Sequence, residues 1–165
     1  MSEENGKNAI TGIFNRNMAG KSLPPVEIEV ERGRIRFFAQ VLGITDPVHF
    51  DVEAANAAGY PDLIAPPSFM MVMEALAEGE RQQLGHESWY TALNCDFRHL
   101  LHGVEAYHYH APVFAGDKLG FITSFGTFAD KKGGSLEHAE VILRVEHAER
   151  GLLVDGNRIV IHRLG

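Results

Sequence analysis

The sequence predicts an α+β fold in which one long helix is wrapped by a curved antiparallel sheet. Three observations carry this expectation. The first half of the chain holds short apolar stripes at helical spacing, most extensively over residues 67–83. One isolated stretch before them, 26–30, alternates strictly between apolar and polar residues, as a half-buried strand does. The last part resolves into four long segments separated by glycine-rich or charged turns, which is the pattern of an antiparallel meander.

In chain order, residues 1–23 are polar, carry Gly6, Gly12 and Gly20, and read as an N-terminal arm or a short docked helix. The remaining residues, 24–165, read as a single domain without an internal repeat or linker. After Pro24 and Pro25 comes the strand at 26–30. A helix follows over 34–42, with Ile35, Phe38, Ala39 and Leu42 on one face and Gly43 as its stop. A second helix over 52–58 is closed by Gly59. The long helix over 67–83 begins at Pro67, whose missing N–H would have no partner in a first turn. Phe69, Val72, Met73, Leu76 and Ala77 form its apolar stripe. The strands are expected over 104–110, 118–128, 136–147 and 152–162, with turns at 115–117, 130–134 and 149–151.

Composition excludes several classes. The 165 residues are 45% apolar and 22% charged, ordinary for a soluble globular protein. A formal charge of -7 without a basic cluster argues against nucleic-acid binding. The lone Cys95 excludes an internal disulfide and a Cys-x-x-Cys metal site. The N-terminal residues lack the basic start and apolar run of a signal peptide, and 65–77 is too short and too charged at Glu74 to cross a bilayer. A cytoplasmic protein with no membrane partner is expected.

The stretch most informative about chemistry is Gly43-Ile44-Thr45-Asp46-Pro47-Val48-His49-Phe50-Asp51, three polar groups in a loop after a helix stop. A histidine beside carboxylates can serve as general base near neutral pH. The competing reading is structural: Asp46-Pro47 starts a turn and Asp51 caps the next helix. Residues 43–49 resemble, with gaps, the Gly-Asp-x-Asn-Pro-(aliphatic)-His motif of the MaoC-like (R)-specific enoyl-thioester hydratases and dehydratases. The ordered series Ala54-Ala55, Gly59-Tyr60-Pro61, Ile64 to Phe69, Leu101-His102-Gly103, Tyr109-His110-Ala111-Pro112 and Ala115-Gly116-Asp117 is similar to their FAS1-like dehydratase N-terminal branch.

That resemblance, over roughly residues 20–163, implies a hot-dog fold with an overhanging segment at 44–66 and a site formed between two such domains. The substrate would be an acyl-CoA or acyl-carrier-protein thioester and no cofactor would be needed. The protein would work as a homodimer or as a heterodimer with another hot-dog subunit. It implies His49 as the retained catalytic group, Asp46 as a surrogate for the family's Asp, and Ile44, Ala65, Pro66, Pro67 and Ser68 as substrate-binding residues. Three departures bear on the chemistry, one of them Val72, where the family carries a polar residue on the long helix. Ile44 stands where the family carries its catalytic Asp, and an aliphatic chain cannot orient water. Pro67 stands where a glycine N–H would polarise the thioester carbonyl, and proline has no N–H to give.

Two function classes follow for the same scaffold: an enoyl-thioester hydratase, or a non-catalytic acyl-binding half acting beside a complete partner. A third reading is an acyl-CoA thioesterase using Glu74, against the alternative that Glu74 faces solvent. Met70, Met71 and Met73 pack against the sheet or line an acyl groove. Nine histidines raise a metal reading, and alternation puts His108 and His110 on one face of a strand. No glutamate follows within five residues to complete a cupin-like set, so the pair is read as ordinary strand residues and no metal is expected.

Overall fold

Alternation in the sequence becomes a sheet with two different faces in the computed structural model, which describes residues 12–164. Along β3 (Lys118–Lys131), Leu119, Phe121, Thr123 and Phe125 are buried, and along β4 (Leu136–His147) so are Glu137, Ala139, Val141, Leu143 and Val145. With β1 (Val26–Glu29), β2 (Leu100–Tyr109) and β5 (Gly151–Arg163) these strands form one antiparallel sheet in the order β1-β3-β4-β5-β2. The edge strand β2 begins four residues before its expected start. Its register shifts between His102 and Val104, at Gly103, where a Cβ would meet the Ile159 carbonyl oxygen at 3.0 Å.

The central helix α3 (Met70–Gln83) lies on the inner face, entered through a 3-10 turn at Pro67–Phe69. Phe69, Met70, Met73 and Ala77 pack into the same core as Leu119, Phe121, Leu143 and Val145. Met71, by contrast, is half exposed, so only two of the three methionines fill the helix–sheet gap. Truncating Phe121 here costs about 3–5 kcal/mol, because transfer free energy and a residual cavity add. A second core cluster at the other end of the sheet joins Phe14, Leu93, Phe125 and Val160. It is covered by α4 (Trp89–Ala92), a single turn too short to show a periodicity in the sequence.

The two short helices end as the glycines predicted. After α1 (Arg32–Val41), Gly43 has φ +69°, and the N–H groups of Gly43 and Ile44 close on Gln40 and Ala39, each at 3.0 Å. After α2 (Val52–Ala57), Gly59 has φ +88°, with Gly59 and Tyr60 closing on Asn56 and Ala55. Both are Schellman closures, which need a left-handed residue.

Of the arm expected at 1–23, residues 1–11 lie outside the described residues. The rest docks on the sheet. The buried Glu137 carboxylate accepts the N–H groups of Ile13 at 2.6 Å and Phe14 at 3.0 Å, and pairs with Arg16 at 3.0 Å. Phe14 stacks on His162 with ring centroids 3.9 Å apart. A Cβ on Gly12 would come within 2.3 Å of Glu137 Oε1, so the close approach requires glycine.

Candidate functional site

The loop after α1 is held by its own polar residues. Asp46 accepts the N–H of Val48 at 3.1 Å, capping a 3-10 turn at Pro47–His49, and its side chain is otherwise exposed. Asp51 caps α2 through the N–H of Glu53 at 2.8 Å. Both carboxylates therefore do what the structural reading of this loop assigned to them. One oxygen of Asp46 is thus spent on the backbone cap, and no hydrogen bond joins its carboxylate to the imidazole of His49 among the described residues.

His49 is placed differently. Its Nδ1 lies 2.6 Å from the carbonyl oxygen of Ile64, and the N–H of Ile64 returns to the carbonyl of Val48 at 3.3 Å. A carbonyl only accepts, so Nδ1 is the donor here and Nε2 is the nitrogen turned away from this bond. The next residue, Ala65, donates to Val113 at 2.8 Å, and Ile64 forms a bridge with Phe114. The loop thus leans on 64–66, which leans on the sheet, and this chain of bonds brings His49 beside the segment that runs into Pro66, Pro67 and Ser68. Pro66 is buried, Ala65 and Ile44 are half-buried, and Pro67 and Ser68 are exposed at the start of the central helix. The Tyr109 hydroxyl, its pKa pushed up to about 12 by burial, donates to the carbonyl of Pro67 and fixes that start.

Sequence reasoning missed a second polar cluster on the inner face. Glu74 does not face solvent. Its carboxylate pairs with Arg158 at 2.7 Å and accepts the Tyr107 hydroxyl at 2.7 Å. Glu105 shares the same guanidinium and the same hydroxyl, and its other oxygen lies 3.0 Å from His102 Nε2. Gly156 makes room: a Cβ there would sit 2.9 Å from the Tyr107 ring. Burial pushes the Glu74 carboxyl up against the opposing pull of Arg158. Burial acts on Glu105 in the same sense, but hydrogen bonds from Arg158 and Tyr107 outweigh it and hold that carboxyl below the usual range. The space these groups leave between helix and sheet, bounded also by Trp89 and Phe121, is a cavity of about 20 Å³, room for one water. Both oxygens of Glu74 are thus engaged, one by Tyr107 and the other by Arg158.

No helix among the described residues is long and apolar enough to cross a membrane. The strand order and the wrapped helix are those of hot-dog proteins. The HadBC complex of Mycobacterium tuberculosis, a 3R-hydroxyacyl-ACP dehydratase, superposes with a TM-score of 0.71 at 21% identity, over 87% of this chain and 96% of that one. The (R)-hydratase of A. caviae involved in PHA biosynthesis superposes with a TM-score of 0.59 at 17% identity, over 86% and 94%. These likenesses define the class: a MaoC-like hot-dog fold. The chain belongs to the family described as FAS1-like, dehydratase domain region, whose model matches residues 17–156. Among its relatives, a UPF0336 protein of Streptomyces coelicolor is 34% identical over 127 residues, 74% of this chain and 79% of that protein.

Proposed function

We propose that this chain is one subunit of an enoyl-CoA or enoyl-ACP hydratase (3-hydroxyacyl-thioester dehydratase), forming the acyl-binding half beside a hot-dog partner that carries the complete Asp/His pair. The observation that carries this reading is the use to which the loop puts its side chains. Asp46 and Asp51 each spend an oxygen on a backbone cap, Ile44 is aliphatic, and His49 turns Nδ1 to Ile64 and leaves Nε2 to act. One imidazole can accept a proton, but orienting a water for addition to a double bond needs a second polar group. In this reading the partner supplies it. Ile44, Ala65, Pro66 and Pro67 then form an apolar wall beside the thioester, with Ser68 and His49 as its polar members.

Pairing would use β2. Within the described residues the backbone of this strand pairs with β5 alone, and Leu101 and Val104 are half exposed on it. A ten-residue edge with apolar side chains favours association with a second sheet. The HadBC complex is a precedent for this fold acting in a dehydratase complex. The reading places the protein in the cytoplasm with soluble thioesters.

The test is native mass determination on the complex isolated from its own cells, followed by hydration of crotonyl-CoA. The expected result is a hot-dog partner with an intact Gly-Asp-x-Asn-Pro-x-His and turnover only by the pair. Robust turnover by the purified chain alone overturns the partner-subunit reading.

A further inference from the structure

The outer face of the sheet, opposite the central helix, holds a group of side chains that neither the loop nor the inner cluster uses. His108 of β2 and its ladder partner Asp155 of β5 stand opposite each other. His110, two residues on, presents its side chain to the same face. Its Nε2 lies 2.5 Å from Asp155 Oδ2, and His108 Nδ1 lies 3.8 Å from the same oxygen. The ligand atoms of all three lie within 4.8 Å of one another, and the two rings are tilted by 51° with centroids 4.5 Å apart. We infer that His108, His110 and Asp155 form a binding site for a divalent transition ion of the zinc class.

The ligand atoms lie within side-chain reach of one such ion. Zinc holds imidazole nitrogen and carboxylate oxygen at roughly 2.0–2.2 Å, so tetrahedral ligands stand roughly 3.4 Å apart. The two separations to Asp155 Oδ2 bracket that value. Closing the difference needs only side-chain torsions, and the side chains of His108, His110 and Asp155 are 73%, 37% and 41% exposed, free to turn. The backbone needs no adjustment, because a period of two aligns His108 with His110 and the ladder supplies Asp155.

Ligand chemistry selects the ion. Two imidazoles and one carboxylate suit Zn²⁺, Ni²⁺ or Cu²⁺, whereas Mg²⁺ and Ca²⁺ prefer oxygen alone. Three protein ligands leave positions for water. The nearby cation is Arg144 of β4, ladder partner of Asp155, and its guanidinium is turned to Glu146 at 2.9 Å. That pairing lowers its repulsion of a bound ion. A bound ion would tie the end of the edge strand β2 to β5 and stabilise the native chain by mass action.

The experiment uses the full chain without a histidine tag, stripped with chelator and titrated calorimetrically with Zn²⁺, with Co²⁺ absorption as a report on ligand type. One saturable ion per chain is expected, together with a rise in thermal midpoint. His108→Ala, His110→Ala and Asp155→Asn should each weaken binding by about tenfold or more, and Mg²⁺ should not compete. These residues are exposed, so circular dichroism should find every variant folded. Absence of saturable uptake overturns the proposal. So does uptake indifferent to all three substitutions, which would place the ion on other histidines, or equal binding of Mg²⁺.

Discussion

The imidazole of His49 and the carbonyl of Ile64 are joined at 2.6 Å, fifteen residues apart in sequence. This one bond fixes both the tautomer of the ring and its position against the segment that opens the central helix. Nitrogen NMR on the labelled protein should find the proton on Nδ1. Finding it on Nε2 instead would mean that the contact with Ile64 is not this hydrogen bond.

His49→Ala should remove whatever hydration of crotonyl-CoA the isolated chain supports. A loss of three orders of magnitude corresponds to about 4 kcal/mol of transition-state stabilisation. Turnover unchanged by the substitution would take His49 out of the chemistry.

Ile44→Asp combined with Asp46→Asn rebuilds the family's loop motif. Asparagine caps as well as aspartate, so the 3-10 turn should survive. Ile44 also closes α1, in a position of the helix stop where an apolar residue is usual, so its replacement should lower stability slightly. Hydration of crotonyl-CoA should rise weakly in this double variant and further when Pro67→Gly restores a backbone donor. A wild type that turns over briskly and gains nothing from the rebuilt loop would show that its chemistry was never lost.

Arg81→Ala should cost about 3–5 kcal/mol in urea unfolding, because it leaves Glu78 buried without its cation. Arg81 is fully buried on the central helix, pairs with Glu78 at 3.1 Å and donates to the carbonyl of Pro24. Glu78 also accepts the N–H of Trp89 at 3.0 Å. Replacing both by Arg81→Met and Glu78→Gln should recover much of the loss. An Arg81→Ala midpoint equal to wild type would show that the pair contributes nothing.

These residues also show where sequence reading reaches and where it stops. The caps at Asp46 and Asp51 and the helix stops at Gly43 and Gly59 were legible because each acts on backbone two to five residues away. The strands were legible because their period survives any register. Arg81 and Glu74 sit in the same helix and look alike as charged interruptions, yet one is fully buried and the other meets Arg158 eighty-four residues on. Asp155 was missed beside His108 for the same reason. The partner of His108 is set by the β2–β5 register, which no local pattern around His108 encodes.

His162 should make the fold acid-sensitive. Burial lowers its pKa from the ordinary 6.5, and its Nε2 accepts the N–H of Asp96 at 3.0 Å, a bond that protonation would break. The unfolded chain therefore takes up a proton below about pH 6.5, where the folded chain does not. Stability should be full above that value and fall as the pH drops through it toward the lower folded pKa. Urea midpoints across this range should fall for wild type and fall less for His162→Gln. Identical slopes would remove His162 as the cause.

The docking of the arm on Glu137 has a consequence for biosynthesis. Ile13 and Phe14 are synthesised well before the carboxylate that receives their N–H groups, which is 124 and 123 positions further on. At about 5–20 residues per second, the wait is roughly 6–25 s. During that interval Phe14 has no His162 to stack upon, because β5 is made later still. The start of the described chain is thus the piece whose native partners arrive last. A nascent chain halted before β4 would hold Leu93 and Phe125 of the Phe14 cluster but neither Glu137 nor His162.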